Sequence, residues 1–304
     1  MTARLTLVHA MSPLHAGTGQ SVGAIDLPVA RERPTGIPLV PASSIKGALR
    51  ARSRDPQLTR DIFGPETTSA SDHAGSVQFS DVHVVLFPVR SVAGTYAWVT
   101  SRYLLQRFAR TAREAGLSLP PLPQGPAATN TCTLVNDTLT INAQSRQKVV
   151  LEDLDFAPTV EAAEPPGPLA AFATAIGKAL FPQGSSNFEE WRTALLSRIC
   201  MVHDDVMSFL LDNATEVSAR IRLNEDTKTV EKGALWYQEA LPSETILAGL
   251  VIAADVKAVN GRSDRKADEL LKAVSDLTKG LVQLGGKSTI GHGSCLVQIA
   301  GGQP

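Results

Sequence analysis

Two short stretches of this chain gather the residue types that hold anions and move protons. In Gly36 to Arg50, GIPLVPASSIKGALR, a proline-punctuated extended run gives way to Ser43 and Ser44 and then to a helix-compatible run. Serine is a preferred N-cap, because its hydroxyl accepts an orphan backbone N–H. Lys46 and Arg50 are spaced to share one helix face, with Arg52 and Arg54 close behind. Free N–H groups, the positive end of the helix dipole and two cations together make a receptor for phosphate. The same spacing also suits a solvated basic face. Upstream, Asp26 stands between a glycine-punctuated loop, residues 12–20, and the pair Arg31 and Arg33. Beside a bound phosphate its carboxylate would help hold a hydrated divalent cation, Mg2+ or Mn2+. One carboxylate cannot build a two-metal cage. His15 is a candidate acid or base, or a packing residue of the loop, and Glu239 is a weaker candidate.

A second phosphate-like element is GGKSTIGHG, from Gly285 to Gly293. It fails as a nucleoside-triphosphate loop, because the pattern requires glycine at position 281, which is Leu281. It is also expected to follow a helix and enter a strand, the reverse of that motif. What remains is a loop whose glycines Gly285, Gly286, Gly291 and Gly293 carry no side chains over the backbone, so it can lie against a ribose-phosphate chain, with Lys287 adding a cation. A helix C-cap at Gly285 is the alternative reading. His203-Asp204-Asp205 invites a metal reading, but Asp204 reads as a helix N-cap and consecutive residues face one ion poorly.

Net charge is −1 over 304 residues, yet residues 1–60 hold eight Lys or Arg against three acidic residues. One end is therefore built to face a polyanion. Three cysteines, Cys132, Cys200 and Cys295, are too few and scattered for a disulfide framework or zinc site, which fits a reducing cytoplasm. The first residues alternate like a strand and lack a signal peptide's apolar region, and the apolar run from Ile246 to Ala254 is too short to span a bilayer. A soluble, cytoplasmic protein without membrane partners is expected.

The elements that must carry these groups are read from periodicity. Strands are expected over residues 4–10, 77–87, 96–99, 246–253 and 295–300, and helices over 102–115, from the capping box at Ser186, and over 264–284. Proline-rich stretches 117–126 and 158–168 bracket a strand-like insertion, taken as a subdomain. From Thr215 to Glu239, Val217, Ala219, Ile221 and Leu223 alternate with Ser218, Arg220 and Arg222 around the turn residues Asn224-Glu225-Asp226, which predicts a hairpin with a basic face. Mixed helices, strands and hairpins argue for α+β.

In order along the chain, Pro13-Leu14-His15-Ala16-Gly17-Thr18-Gly19, Ile25-Asp26-Leu27-Pro28 with Arg31-Glu32-Arg33, and Pro41 to Arg50 form one series. Phe87-Pro88-Val89-Arg90-Ser91, Thr215 to Ile221, Thr227 to Val230, Gly233-Ala234-Leu235 with Glu239 to Pro242, and the glycine loop continue it. This series resembles the RAMP superfamily of CRISPR proteins, and more closely the repeated backbone subunit of the type III-B (Cmr) effector complex. Lys287-Ser288 replaces a more acidic pair, and the insertion matches nothing in the family. The resemblance implies one RAMP domain over 1–304, with a modified ferredoxin-like (RRM-like) palm, helical insertions, an insertion at about 117–168 and a protruding β-hairpin thumb at about 215–241. It further implies copies stacked head to tail on a guide crRNA beside other Cmr subunits, and metal-dependent cleavage of complementary target RNA at regular intervals with Asp26 required. The alternative is a non-catalytic crRNA-binding backbone. Aromatic residues are only 5% of the chain, too few for a base-stacking platform, so phosphate and 2′-hydroxyl contacts are expected at Arg31, Arg33, Ser43, Ser44, Lys46, Arg50, Arg220, Arg222 and the glycine loop. On the same terms Asp26 would orient a target 2′-hydroxyl toward its adjacent phosphate, giving a 2′,3′-cyclic phosphate.

Overall fold

A computed structural model of the chain describes residues 1–19, 24–65, 74–143, 145–182, 186–224, 226–257 and 264–301. The described elements begin with β1 (Thr2–Ala10), β2 (Leu39–Val40), α1 (Ala42–Arg52), α2 (Pro56–Phe63), β3 (Val77–Phe79), β4 (Val82–Arg90), β5 (Tyr96–Ser101) and α3 (Arg102–Glu114). The insertion supplies β6 (Thr131–Leu134), β7 (Ile141–Ala143), β8 (Arg146–Leu151) and β9 (Leu154–Val160), followed by α4 (Pro168–Leu180), α5 (Ser186–Arg198), β10 (Ile199–Val202) and α6 (Asp204–Asn213). The chain closes with β11 (Glu216–Leu223), β12 (Val230–Ala240), β13 (Ile246–Ala253), α7 (Ala267–Leu277), β14 (Leu281–Gln283) and β15 (Ser294–Ala300).

The palm is the antiparallel quartet β15–β1–β13–β4. Helices α1 and α2 connect β1 to β4, and α7 connects β13 to β15, so the core runs β-α-β-β-α-β, the ferredoxin-like order. Both faces of its sheet are covered, which explains why β1 buries residues of both parities. Val8 and Ala10 join α1, α2, α6 and α7 in one core, whereas Leu5 and Leu7 join Leu105, Phe108, Phe172 and Ile176 of α3 and α4 in a second. The register slips between Ile246 and Leu247, leaving Val85 as an extra residue, so Val85 and Leu86 both reach that second core. An open sheet face, the surface with which such folds stack bases, is therefore filled by the inserted helices.

The insertion is continuous with the palm sheet rather than a separate layer: β10 joins parallel β5 to antiparallel β6, and β9, β8 and β7 follow. Val149, Leu151 and Phe156 enter the same core as Val8 and Leu247. The helix expected over 264–284 is shorter. It stops at Leu277 because Gly280 turns the chain through a left-handed conformation (φ 71°), and Leu281–Gln283 then pairs with β15, burying Val282 alone. The capping box expected at Ser186 and Asn187 rests on side chains outside the described residues. No helix among the described residues is long and apolar enough to cross a membrane.

Candidate functional site

The thumb, β11 paired with β12, forms its own two-stranded sheet as expected, and the structure leaves its apolar residues Val217, Ile221, Leu223, Val230, Leu235 and Tyr237 exposed. Its turn is held by Asn224, whose Oδ1 accepts from the N–H groups of Asp226 and Thr227, while Glu225 lies outside the described residues. At the base of the thumb, the edge of β12 facing away from β11 is occupied. Leu27 N–H donates to the Tyr237 carbonyl and Glu239 N–H to the Leu27 carbonyl, at 3.0 Å each, so residues 26–29 lie parallel on β12.

This edge places Asp26 and His15. Asp26 Oδ2 accepts from the Tyr237 N–H at 2.7 Å, which fixes the carboxylate and leaves Oδ1 for a ligand. His15 is buried, and its Nδ1 lies 2.7 Å from the Glu239 carbonyl oxygen. A carbonyl only accepts, so the proton sits on Nδ1 and Nε2 carries the free lone pair. Tyr237 and Glu239 are two residues apart on one edge, which separates the two attachment points by about 7 Å along the strand. A Cβ at Gly17 would press on His15 Nε2 at 2.7 Å, so only glycine lets the loop pack this close to the ring.

Glu239 is the brace of the assembly. Its side chain is 3% exposed, and it accepts from Val29 N–H (2.9 Å) and Arg31 Nη2 (2.6 Å). Arg31 also donates to the carbonyls of Gly36 and Leu211 and pairs with Asp212 at 3.0 Å. The guanidinium is thus engaged inside the fold, holding the segment that carries Asp26. Glu32 is held likewise by Arg107 of α3, with His83 at 3.7 Å, and hydrogen bonds from Arg107 and Thr35 pull its carboxyl down to about 2. Arg33, between these anchors, is exposed and has no partner among the described residues.

The phosphate receptor on α1 differs from expectation. The N-cap is Pro41, which lacks a side-chain acceptor, so the helix starts before Ser43 and Ser44 rather than at them. The Asp81 carboxylate accepts from Ala42 N–H at 2.8 Å and already answers the positive end of the dipole. Arg50 donates to the carbonyls of Gly64 and Pro65, and Arg52 to those of Lys279 and Leu281, tying the helix C-terminus down. Lys46 alone of that face has no partner among the described residues.

The glycine loop joins β14 to β15, so Gly285 is not a helix C-cap. Gly286 N–H donates to the His15 carbonyl (2.9 Å) and Gly293 N–H to that of Pro13 (2.8 Å), which docks the loop on the His15 segment. Gly285 has φ 70°, and a Cβ there would strike the His15 carbonyl oxygen. Residues 285–291, including Lys287 and Gly291, are exposed. Arg220 of β11 reaches into this corner, with Nη2 3.5 Å from His292 Nε2, while Arg222 on the same strand lies 3.6 Å from Glu231. At α6, His203 rather than Asp204 is the N-cap, and Asp204 accepts from Tyr103 N–H of α3. Among the described residues no three His, Cys, Asp or Glu side chains come together as a metal cage. Sequence reasoning passed over Tyr237, His292, Asp81 and Arg107, because their roles depend on partners far away in the chain.

A ferredoxin-like palm, a β-hairpin thumb with Asp26 on the edge of its second strand, and a glycine loop docked on the His15 segment define the class. The chain belongs to the RAMP superfamily, whose family model matches residues 7–296. It is 34% identical over 310 residues to the CRISPR system Cmr endoribonuclease Cmr4 of Pyrococcus furiosus, covering 98% of this chain and 96% of that one. It is 24% identical to the CRISPR system CMR subunit Cmr4 of Saccharolobus solfataricus, over 94% of this chain and 92% of the relative. Oligomeric Cmr4 from Pyrococcus furiosus superposes with a TM-score of 0.71 at 25% identity, both chains fully covered. A chain of the type III-B Cmr-β complex bound to cognate target RNA shares the fold, with a TM-score of 0.69 at 20% identity over 98% of this chain and 97% of that one.

Proposed function

We propose that this chain is the repeated backbone subunit of a cytoplasmic type III-B effector complex. Copies of it bind a guide crRNA head to tail, alongside other Cmr subunits, and cut complementary target RNA at regular intervals. The observation that carries this reading is the edge of β12, where Asp26 with one free oxygen and His15 with a fixed tautomer are held side by side beneath the thumb.

In the reaction, the 2′-oxygen of a target nucleotide attacks the adjacent phosphorus as its proton leaves to His15 Nε2. The P–O5′ bond breaks, and the leaving 5′-oxygen takes a proton from solvent water, giving a 2′,3′-cyclic phosphate and a 5′-hydroxyl. Asp26 Oδ1 orients the attacking hydroxyl, and Nδ1–H bonded to the Glu239 carbonyl steadies the imidazolium that forms. Mg2+ or Mn2+ belongs to this reading only with Asp26 as its one protein ligand, the rest coming from water and RNA phosphate oxygens. Arg33, Lys46, Lys287 and the backbone of Gly285 to Gly293 supply phosphate contacts, with the target sequence read by base pairing to the guide.

The test is Asp26→Asn, which keeps shape and the bond from Tyr237. Assembly and target binding should persist while cleavage falls by at least the roughly hundredfold expected for losing such a group. A target with one 2′-deoxy nucleotide should resist cutting at that position alone. Full cleavage by Asp26→Asn complexes, or cutting at the deoxy position, would overturn the mechanism. Lost cleavage with retained binding rejects the alternative of a purely structural subunit.

A further inference from the structure

We propose that Arg220 and His292 together clamp one RNA backbone phosphate at the base of the thumb, and that His292 takes up a proton as the phosphate arrives. The inference deepens the RNA-binding reading above and rests on it.

The corner holds positive charge without an answering carboxylate: neither Arg220 nor Lys287 has an ion-pair partner among the described residues. Arg220 can only donate, so His292 Nε2 accepts from it and the imidazole is neutral, with its proton on Nδ1. At 3.5 Å that contact is a poor hydrogen bond. Arg220 Nε and His292 Nδ1 are buried and have no hydrogen-bond partner. Donors left so are costly, and a corner whose unpartnered groups are donors suits a ligand that only accepts. A phosphate oxygen entering between Nη2 and Nε2 would accept from both once Nε2 is protonated, replacing one weak contact by two charge-assisted bonds. The loop backbone beside it, residues 285–291, is exposed and offers the approach.

The charged groups facing His292 are Arg220 from β11, His15 from the segment after β1, and Lys287 of its own loop. Burial and these positive neighbours hold the imidazole below its usual range, so it starts neutral. A bound phosphate reverses the local sign and raises it. Proton uptake on binding makes affinity rise as pH falls, by up to about tenfold per pH unit for one proton.

The test is equilibrium binding of target RNA to assembled complexes that carry Asp26→Asn and a 2′-deoxy cut site, between pH 5.5 and 8. The parent should gain affinity toward acid pH, and His292→Gln should flatten that gain. Arg220→Gln should lower the salt slope by about one phosphate, and Arg220→Lys should restore the slope. Single methylphosphonates walked through guide and target then identify the strand: the one at the clamp weakens the parent and has no effect in Arg220→Gln. An unchanged pH dependence in His292→Gln, an unchanged salt slope in Arg220→Gln, or no position silenced by Arg220→Gln would overturn the clamp. Full cleavage of an all-ribo target by Asp26→Asn would sink the catalytic reading and leave these binding results to stand on their own.

Discussion

Glu239→Gln isolates the brace under the segment that carries Asp26. The glutamate side chain, 3% exposed, accepts from two donors, Val29 N–H at 2.9 Å and Arg31 Nη2 at 2.6 Å. Glutamine keeps the volume but only one acceptor, so its amide NH2 must face one of those donors. An orphaned buried N–H costs about 1–3 kcal/mol, and trading a charge-assisted bond for a neutral one costs about 1 kcal/mol more. Arg31 retains Asp212, which is 63% exposed, so the loss should stay below that of a buried charge stripped of every partner. The expected destabilisation is about 2–4 kcal/mol. Urea unfolding followed by the fluorescence of Trp98, Trp191 and Trp236 reads it as a lower midpoint at constant slope. Asp212→Asn is the exposed control and should cost under about 1 kcal/mol. In assembled complexes Glu239→Gln should also slow cleavage, because residues 26–29 lose an anchor while the Glu239 carbonyl that orients His15 remains. A midpoint within error of the parent, together with parental cleavage, would refute the brace.

Three further outcomes follow from the same geometry. Lys46→Ala should weaken guide binding and lower its salt slope by about one contact, whereas Arg50→Ala should lower the unfolding midpoint first, since its guanidinium bonds Gly64 and Pro65. Glu32 is lowered from 4.5 to about 2, so its stabilisation is present above about 4.5 and is lost as pH falls toward 2; Glu32→Gln should remove part of the acid sensitivity seen in urea midpoints across that window. Deleting the thumb tip, residues 223–229, should leave the palm's melting unchanged, because the hairpin is a separate sheet, and should disturb the spacing of target cuts; an unchanged ladder of products would count against a role for the tip in that spacing.

The sequence alone determined what neighbouring residues decide. The period of two from Val217 to Leu223 set the hairpin and its two faces, and the missing glycine at Leu281 excluded a triphosphate loop. The order of motifs placed the chain in its superfamily. These features rest on relations within a few residues, where side-chain alternation and turn chemistry act directly. The spacing of Lys46 and Arg50 was read correctly as one helix face, yet their fates differ, because a carbonyl pair at Gly64 and Pro65 reaches only Arg50. Ser43 and Ser44 satisfied the local rule for an N-cap, but Asp81, 39 residues away from Ala42, satisfies the helix end instead. Tertiary structure alone made Arg31 the partner of Glu239, 208 residues distant, and seated Asp26 on Tyr237, 211 residues distant. A hydrogen bond is specific in geometry but indifferent to separation along the chain, so its partner is fixed only when the sheet has closed and the edge of β12 faces the loop.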